Sequence, residues 1–148
     1  MSEPESPRRV TRVAAYALCV EDDRLLLCRL APGELAVGQW TLPGGGLDFG
    51  ESPADAVLRE LGEETGLSGE IIGLADVFSW SRSVADPGGR FDEAFHAIQI
   101  VYRVQVTGGE LRDEPDGSTD AARWFSRGEL DALPLVDLAR EGARLAFG

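Results

Sequence analysis

The stretch from Gly44 to Leu67, GGGLDFGESPADAVLRELGEETGL, carries the strongest local signals in the 148-residue chain. Ser52 is a good helix N-cap, Pro53 suits the first helical position, and Gly66 favours a helix end. Apolar residues between these limits recur at the spacing of a helix face that packs on a sheet: Ala54, Val57, Leu58 and Leu61. The stretch therefore predicts an amphipathic helix that follows a glycine loop.

The same helix carries three glutamates, Glu60, Glu63 and Glu64. At roughly 100° per residue they share one flank, where like charges at i, i+3 and i+4 repel. Hard divalent cations prefer carboxylate oxygens and turn such repulsion into a binding site. From the helix alone, a simple solvated face is the competing interpretation. The glycines at 44–46 favour the metal site, because they let a backbone group approach an ion or a phosphate.

Outside this stretch the pattern predicts a mixed sheet with helices on its faces. We expect a loose N-terminal arm over residues 1–9 and one domain over residues 10–148. Predicted strands cover 10–20 and 24–30 as a hairpin, then 40–42, 69–80, 95–106 and 122–126, with a helix at 135–147. Polar loops are predicted at 81–94 and 107–120.

The composition excludes several classes of protein. A net charge of −12 repels nucleic acid and acidic membranes, so a phosphate-bearing substrate needs cations. No apolar run approaches the roughly 20 residues of a membrane span, and the N-terminus is polar, so we expect a cytoplasmic protein. Cys19 and Cys28 are expected to be buried, reduced thiols.

One motif is specific. Gly45, five residues, Glu51, seven residues, and then RELGEETGL at 59–67 resemble at every fixed position the Nudix hydrolase signature GX5EX7REUXEEXGU, in which U is aliphatic. The resemblance implies a Nudix fold, an α/β/α sandwich with a mixed β-sheet and a loop-helix-loop motif. It also implies hydrolysis of a nucleoside diphosphate linked to another moiety, with Mg²⁺ (or Mn²⁺) as cofactor.

The resemblance assigns roles to individual residues. Metal ligands are then Glu60, Glu63 and Glu64, a carbonyl of Gly44 or Gly45, and Glu51 as an outer ligand or a hydrogen-bonding support. Arg59 orients these glutamates. Either Glu60 or Glu63 is favoured as the general base. The alternative bases lie in the later loop: Glu114, Asp116 and Asp120.

The substrate-binding residues are less specified. Arg82 and Arg90 are candidates to hold a phosphate, although exposed loop arginines more often face solvent. Phe78 and Trp80 are candidates to stack on a base, although strand aromatics more often belong to a core.

The expected partner is a small-molecule nucleotide, a (d)NTP or an ADP-ribose-type compound, with no nucleic acid and no membrane. Homodimers are frequent in the family, and the N-terminal hairpin is the candidate surface for one. A catalytically silent domain that binds a nucleotide or ADP-ribose as a sensor is the alternative function.

Overall fold

A computed structural model describes residues 8–85 and 91–148 of the chain. The strands are β1 (Arg8–Leu18), β2 (Val20–Glu21), β3 (Arg24–Leu30), β4 (Trp40–Thr41), β5 (Gly44–Gly46), β6 (Leu67–Ala85), β7 (Phe91–Gly109) and β8 (Thr119–Ser126). The helices are α1 (Pro53–Thr65), α2 (Arg127–Leu130) and α3 (Asp137–Phe147). Residues 1–7 of the predicted arm lie outside the described ranges, and its last two residues belong to β1.

Two four-stranded sheets form the middle layer of the molecule. The first is mixed, in the order β5-β1-β7-β6, with β1 and β7 parallel and the other pairs antiparallel. In the second, β3 pairs antiparallel with β2, β4 and β8. Side chains of β3 alternate between two cores, so Leu26 packs in the cluster of α1, whereas Leu25 and Leu27 pack in that of α3. The helices therefore cover opposite faces, as an α/β/α sandwich requires.

The predicted N-terminal hairpin is wrong. The chain leaves the mixed sheet at the buried Cys19, and only β2 forms a hairpin with β3. Asp22 and Asp23 make its turn with φ of 52° and 57°, the left-handed values that a two-residue hairpin loop needs. β1 is flanked by β5 and β7, so neither of its edges is free to pair with a second copy. A homodimer itself stays a prediction.

The glycine run is a strand and not the predicted loop. Gly44, Gly45 and Gly46 pair antiparallel with Tyr16, Ala15 and Ala14 of β1. A Cβ atom on Gly44 would overlap the Ala15 carbonyl and the Tyr16 side chain. Only glycine lets these two backbones come this close, and pairing with β1, rather than strand propensity, makes the segment extended.

The prediction for α1 is confirmed at both ends. Ser52 Oγ accepts a hydrogen bond from the Asp55 N–H at 3.1 Å. Gly66 ends the helix in the left-handed region with φ of 77°, and its N–H donates to the Gly62 carbonyl at 3.0 Å. Val57 and Leu61, both from the predicted apolar face, are fully buried.

The predicted loop at 81–94 is wrong in its described part. β6 and β7 continue as a ladder through Ser83 and Ala94 to Ala85 and Phe91, because cross-strand pairing extends into this polar sequence. β8 begins at Thr119, three residues before the predicted strand, and α3 begins at Asp137. Cys19 and Cys28 are buried free thiols, as predicted. In the ranges given above, every helix is too short or too polar to cross a bilayer.

Candidate active site

Glu64 is the most unusual side chain of the predicted set. It lies in the last turn of α1 and is 1% exposed. Its Oε2 accepts a hydrogen bond from the Gly44 N–H at 3.1 Å. Its Oε1 is buried and has no hydrogen-bond partner among the described residues. Burial raises the pKa of Glu64 well above its usual range, and the nearby Glu60 charge adds to this.

Glu60 lies one turn earlier, between Glu64 and the glycine strand. Its side chain is 14% exposed, and Oε1 accepts from Arg59 Nη1 at 3.1 Å. A Cβ on Gly45 would lie 2.8 Å from the same oxygen, so the missing side chain makes room for the carboxylate. Burial raises the pKa of Glu60 although the Arg59 charge opposes it. The two glutamates therefore form a desolvated acidic pair.

Glu51 and Arg59 form a two-pronged ion pair at the start of α1. Glu51 Oε2 accepts from Arg59 Nε at 2.8 Å, and Oε1 accepts from Arg59 Nη2 at 2.9 Å. Oε1 also accepts the Asp48 N–H at 3.0 Å. These bonds, led by those from Arg59, lower the pKa of Glu51 to about 2. Arg59 therefore orients Glu51 and Glu60 together.

Three glutamates are expected to converge on one site, and two of them, Glu60 and Glu64, do so. The Glu63 side chain is 51% exposed, and its carboxylate pairs with Arg59 Nη1 at 3.2 Å. Within residues 8–85 and 91–148, no three acidic, cysteine or histidine side chains are close enough together to form a ready-made metal site. Glu60 and Glu64 are thus the carboxylates that face the glycine strand.

The pairing of β5 separates the two candidate carbonyls. The ladder bonds on either side run from Ala17 N–H to Pro43 O, 2.8 Å, and from Leu47 N–H to Val13 O, 3.1 Å. In this alternation Gly45 faces β1, whereas Gly44 points away from it, as its N–H bond to Glu64 shows. The Gly44 carbonyl therefore lies on the free edge of β5.

A divalent cation fits the chemistry of these groups. Mg²⁺ and Mn²⁺ prefer carboxylate and carbonyl oxygens. A buried carboxylate oxygen without a partner is costly, and a cation offsets that cost. Glu60, Glu64 and the free edge of Gly44 therefore supply a suitable, incomplete donor set that water and substrate oxygens would complete.

The structure separates the three loop acids. Glu114 Oε2 accepts from Thr119 Oγ1 at 3.1 Å, and after burial and the Glu60 charge, the Glu114 charge also raises the pKa of Glu64. Asp120 is instead paired with Arg29 Nε at 2.7 Å. Asp116 is an exposed turn residue with φ of 55°. Of the three, Glu114 is the acid associated with the glutamate pair.

A cavity of about 670 Å³ opens beside Glu64, which is room for a nucleoside-sized ligand. Glu64, Gly44 and Gly45 line it together with the predicted aromatics Phe78 and Trp80. Trp80 is 44% exposed and its ring lies 5.4 Å from that of Phe95.

The two predicted arginines are not part of the described cavity wall. Arg82 is not among the residues that line the cavity, and its guanidinium lies 5.9 Å from the centroid of the Trp80 ring. Arg90 falls outside the described residues.

Three further lining residues come from strands without a motif. Tyr16 and Gln99 lie on neighbouring strands, and burial raises the pKa of Tyr16. Arg12 lies on the same face of β1 as Tyr16. The available sequence signal was the alternation of β1, which puts Arg12, Ala14 and Tyr16 on one side. Without the pairing of the strands, nothing indicated that this side faced a cavity.

The fold and the site together define a class: an α/β sandwich protein in which one capped helix presents buried carboxylates, suited to a divalent cation, at the end of a ligand-sized cavity. Comparison with known proteins agrees with this class. The family model for the NUDIX domain matches residues 8–145. The chain belongs to the Nudix hydrolase family.

Relatives with different substrate names are similar to the chain. It is 34% identical over 121 residues to ADP-ribose pyrophosphatase of Methanocaldococcus jannaschii, covering 82% of this chain and 65% of the relative. It is 45% identical over 129 residues to RNA pyrophosphohydrolase of Sphingopyxis alaskensis, covering 68% and 74%. The solved MutT NUDIX hydrolase from Burkholderia pseudomallei superposes with a TM-score of 0.72 at 30% identity, covering 92% and 98%.

Some curated relatives are considerably longer than this chain. It spans 26% of a nudix hydrolase of Caenorhabditis elegans and 43% of the human 8-oxo-dGDP phosphatase NUDT18. The relatives therefore share the domain, and their names do not agree on one substrate.

Proposed function

We propose that this chain hydrolyses a pyrophosphate bond in a nucleoside diphosphate linked to another moiety, with Mg²⁺ (or Mn²⁺). The observation that carries the proposal is Glu64, a buried carboxylate that lines a nucleoside-sized cavity and has one oxygen without a partner in the described ranges. Acids that serve only as a solvated surface have no reason to be desolvated in this way.

In this proposal the cation is held by Glu60, Glu64 and the Gly44 carbonyl, with Glu63 and Glu51 further out. When bound, it neutralises phosphate oxygens and makes a water molecule more acidic. Arg59 keeps the carboxylates in place, since its guanidinium contacts Glu51, Glu60 and Glu63 simultaneously. Replacement of Arg59 would therefore leave both Glu51, the supporting residue, and Glu60, a metal ligand, without a fixed orientation.

A general base must accept the proton of the attacking water. Glu60 takes this role in the alternative arrangement in which Glu64 and the Gly44 carbonyl hold the cation and the Glu60 carboxylate stays free. Glu114 is the alternative from the later loop, where Thr119 holds it. Glu63 is the least suited of the three, since its side chain is half exposed.

For the organic part of the substrate, Phe78 and Trp80 supply an aromatic wall on which a base stacks. A small nucleotide, a (d)NTP or an ADP-ribose-type compound, fits better than RNA, because a net charge of −12 gives a long polyanion no attractive surface. The catalytically silent sensor is disfavoured, because every motif glutamate is present.

The test is nucleotide or phosphate release from (d)NTPs, ADP-ribose, NADH and dinucleoside polyphosphates with Mg²⁺ or Mn²⁺. We expect one substrate class to be hydrolysed and Glu64→Gln to lower kcat about 10³-fold or more, because a metal ligand is lost. Glu70→Gln, an exposed acid on β6, is the matched control and should keep full activity. Tight nucleotide binding without turnover would support the sensor instead.

A further inference from the structure

Arg12 is a cation in an otherwise acidic cavity. The charged side chains that line the cavity are Arg12, Glu34, Glu64, Asp137 and Glu141. Among the described residues Arg12 makes no ion pair, in contrast to Arg29, Arg59 and Arg123, which each contact a carboxylate. Glu60, the nearby acid across β5, is already engaged by Arg59. The Arg12 charge is therefore available to a ligand.

The glycine strand places Arg12 close to the carboxylates without a direct contact. Successive residues of a strand face opposite sides, and a Cβ on Gly45 would meet Glu60 whereas one on Gly46 would meet Arg12. On Gly46 the added atom would lie 2.7 Å from Arg12 Nε, so the guanidinium rests on the bare backbone. Glu60 and Arg12 thus lie on opposite faces of β5, whereas Glu64 reaches the cavity at the free edge of this strand.

A phosphate at the cavity end of β5 needs positive charge on both sides. A cation held by Glu60 and Glu64 supplies it on the α1 side only. On the other side, the described lining residues offer Arg12 as the one positive group, and a guanidinium presents a planar fork of N–H donors that matches phosphate oxygens.

We propose that Arg12 binds a phosphoryl group of the nucleoside diphosphate on the cavity face of β5, across this strand from Glu60. The inference rests on the proposed function for its ligand class. It makes Arg12 a substrate-binding residue, a role that the motif does not include.

The experiment measures equilibrium binding of α,β-methylene adenosine diphosphate, which resists cleavage, in Mg²⁺ by calorimetry, with adenosine as the uncharged reference. Arg12→Gln should weaken binding of the diphosphate about 10- to 100-fold, the range for a lost charge-assisted hydrogen bond, and leave adenosine binding unchanged. Arg12→Lys should give an intermediate loss, since it keeps the charge and not the fork. Arg8→Gln is the matched control, because Arg8 lies on the same face of β1 and does not line the cavity.

Unchanged diphosphate affinity in Arg12→Gln, an equal loss in Arg8→Gln, or no binding of the diphosphate by the wild type would each overturn the proposal. Its failure is distinguishable from failure of the proposed function. Wild-type hydrolysis together with an unaffected Arg12→Gln refutes only the role of Arg12. Diphosphate binding that depends on Arg12, without hydrolysis of any substrate in the panel, refutes only the enzyme.

Discussion

The two ends of α1 treat their carboxylates in opposite ways. At the first end, both oxygens of Glu51 accept hydrogen bonds from Arg59. At the last turn, Glu64 is more deeply buried and yet keeps one oxygen without a partner in the described structure. Hydrogen bonds to both oxygens of a carboxylate lower its pKa, and the ionised group then stabilises the fold. A buried carboxylate oxygen without a hydrogen bond costs stability, and the carboxylate is therefore a candidate ligand. The difference separates a carboxylate that supports the fold, just before α1, from one in its last turn that is available to a ligand.

The largest effect in this comparison is expected from a change in Arg59, which contacts carboxylates at both ends of α1. Arg59→Gln should weaken Mn²⁺ binding about 10- to 100-fold, because Arg59 orients Glu60 while it holds Glu51. Titration of Mn²⁺ by electron paramagnetic resonance measures this without turnover. Arg123→Gln breaks a comparable surface pair with Asp113 and should leave Mn²⁺ affinity unchanged. Wild-type affinity in Arg59→Gln would show that the two ends are independent.

A smaller, pH-dependent effect tests the Glu51 end alone. The pKa of Glu51 is lowered from 4.5 to about 2, so its ionised form stabilises the folded state above pH 4.5, and this contribution is lost as the pH falls towards 2. Glu51→Gln should therefore lower Tm at pH 7, and the difference from wild type should shrink only below about pH 4.5. Thermal denaturation from pH 3 to 7 measures the difference. A constant difference down to pH 3 would contradict the assigned role of Glu51.

The smallest effect concerns the helix between the two ends. Gly62 is helical, and an added Cβ would find only the Leu67 carbonyl at 3.9 Å, an ordinary contact. Gly62→Ala should raise stability by about 0.5–1 kcal/mol and leave metal affinity unchanged, because it restricts the unfolded chain. Gly142→Ala in α3 is the control, since its Cβ would lie 2.8 Å from the buried Leu42 and should give no gain. Urea denaturation measures the free energy of unfolding of both variants. A lower stability in Gly62→Ala would show that the two ends constrain the conformation of the whole helix.

Local signals predicted α1, and non-local pairing explains the errors elsewhere. Ser52 and Gly66 act within one turn of their own positions, so sequence alone located the helix. The glycine strand depends on β1, and its extended state cannot be deduced from three residues without side chains. The polar residues Ser81 and Arg82 suggested a loop, yet they lie in a ladder that β7 imposes.

The same reasoning applies to the candidate site. The motif located Glu60 and Glu64, because their spacing on a helix is fixed by its geometry. It did not reveal that the Glu63 side chain is half exposed, since exposure depends on the side-chain rotamer and on the packing around the helix. Arg12 was missed because its proximity arises from a strand 33 residues earlier than Gly45.

The parallel pairing of β1 with β7 has a consequence for how this protein is made. Val13 pairs with Ile98, 85 residues later in the chain, and β5 pairs with β1 in turn. A nascent chain that has just emerged from the ribosome as far as Leu67 holds every residue of the motif, but not the strand that completes the sheet beneath it. Contacts this distant in sequence form late, so the cavity, and any affinity for a nucleotide, should arise only after synthesis has passed β7.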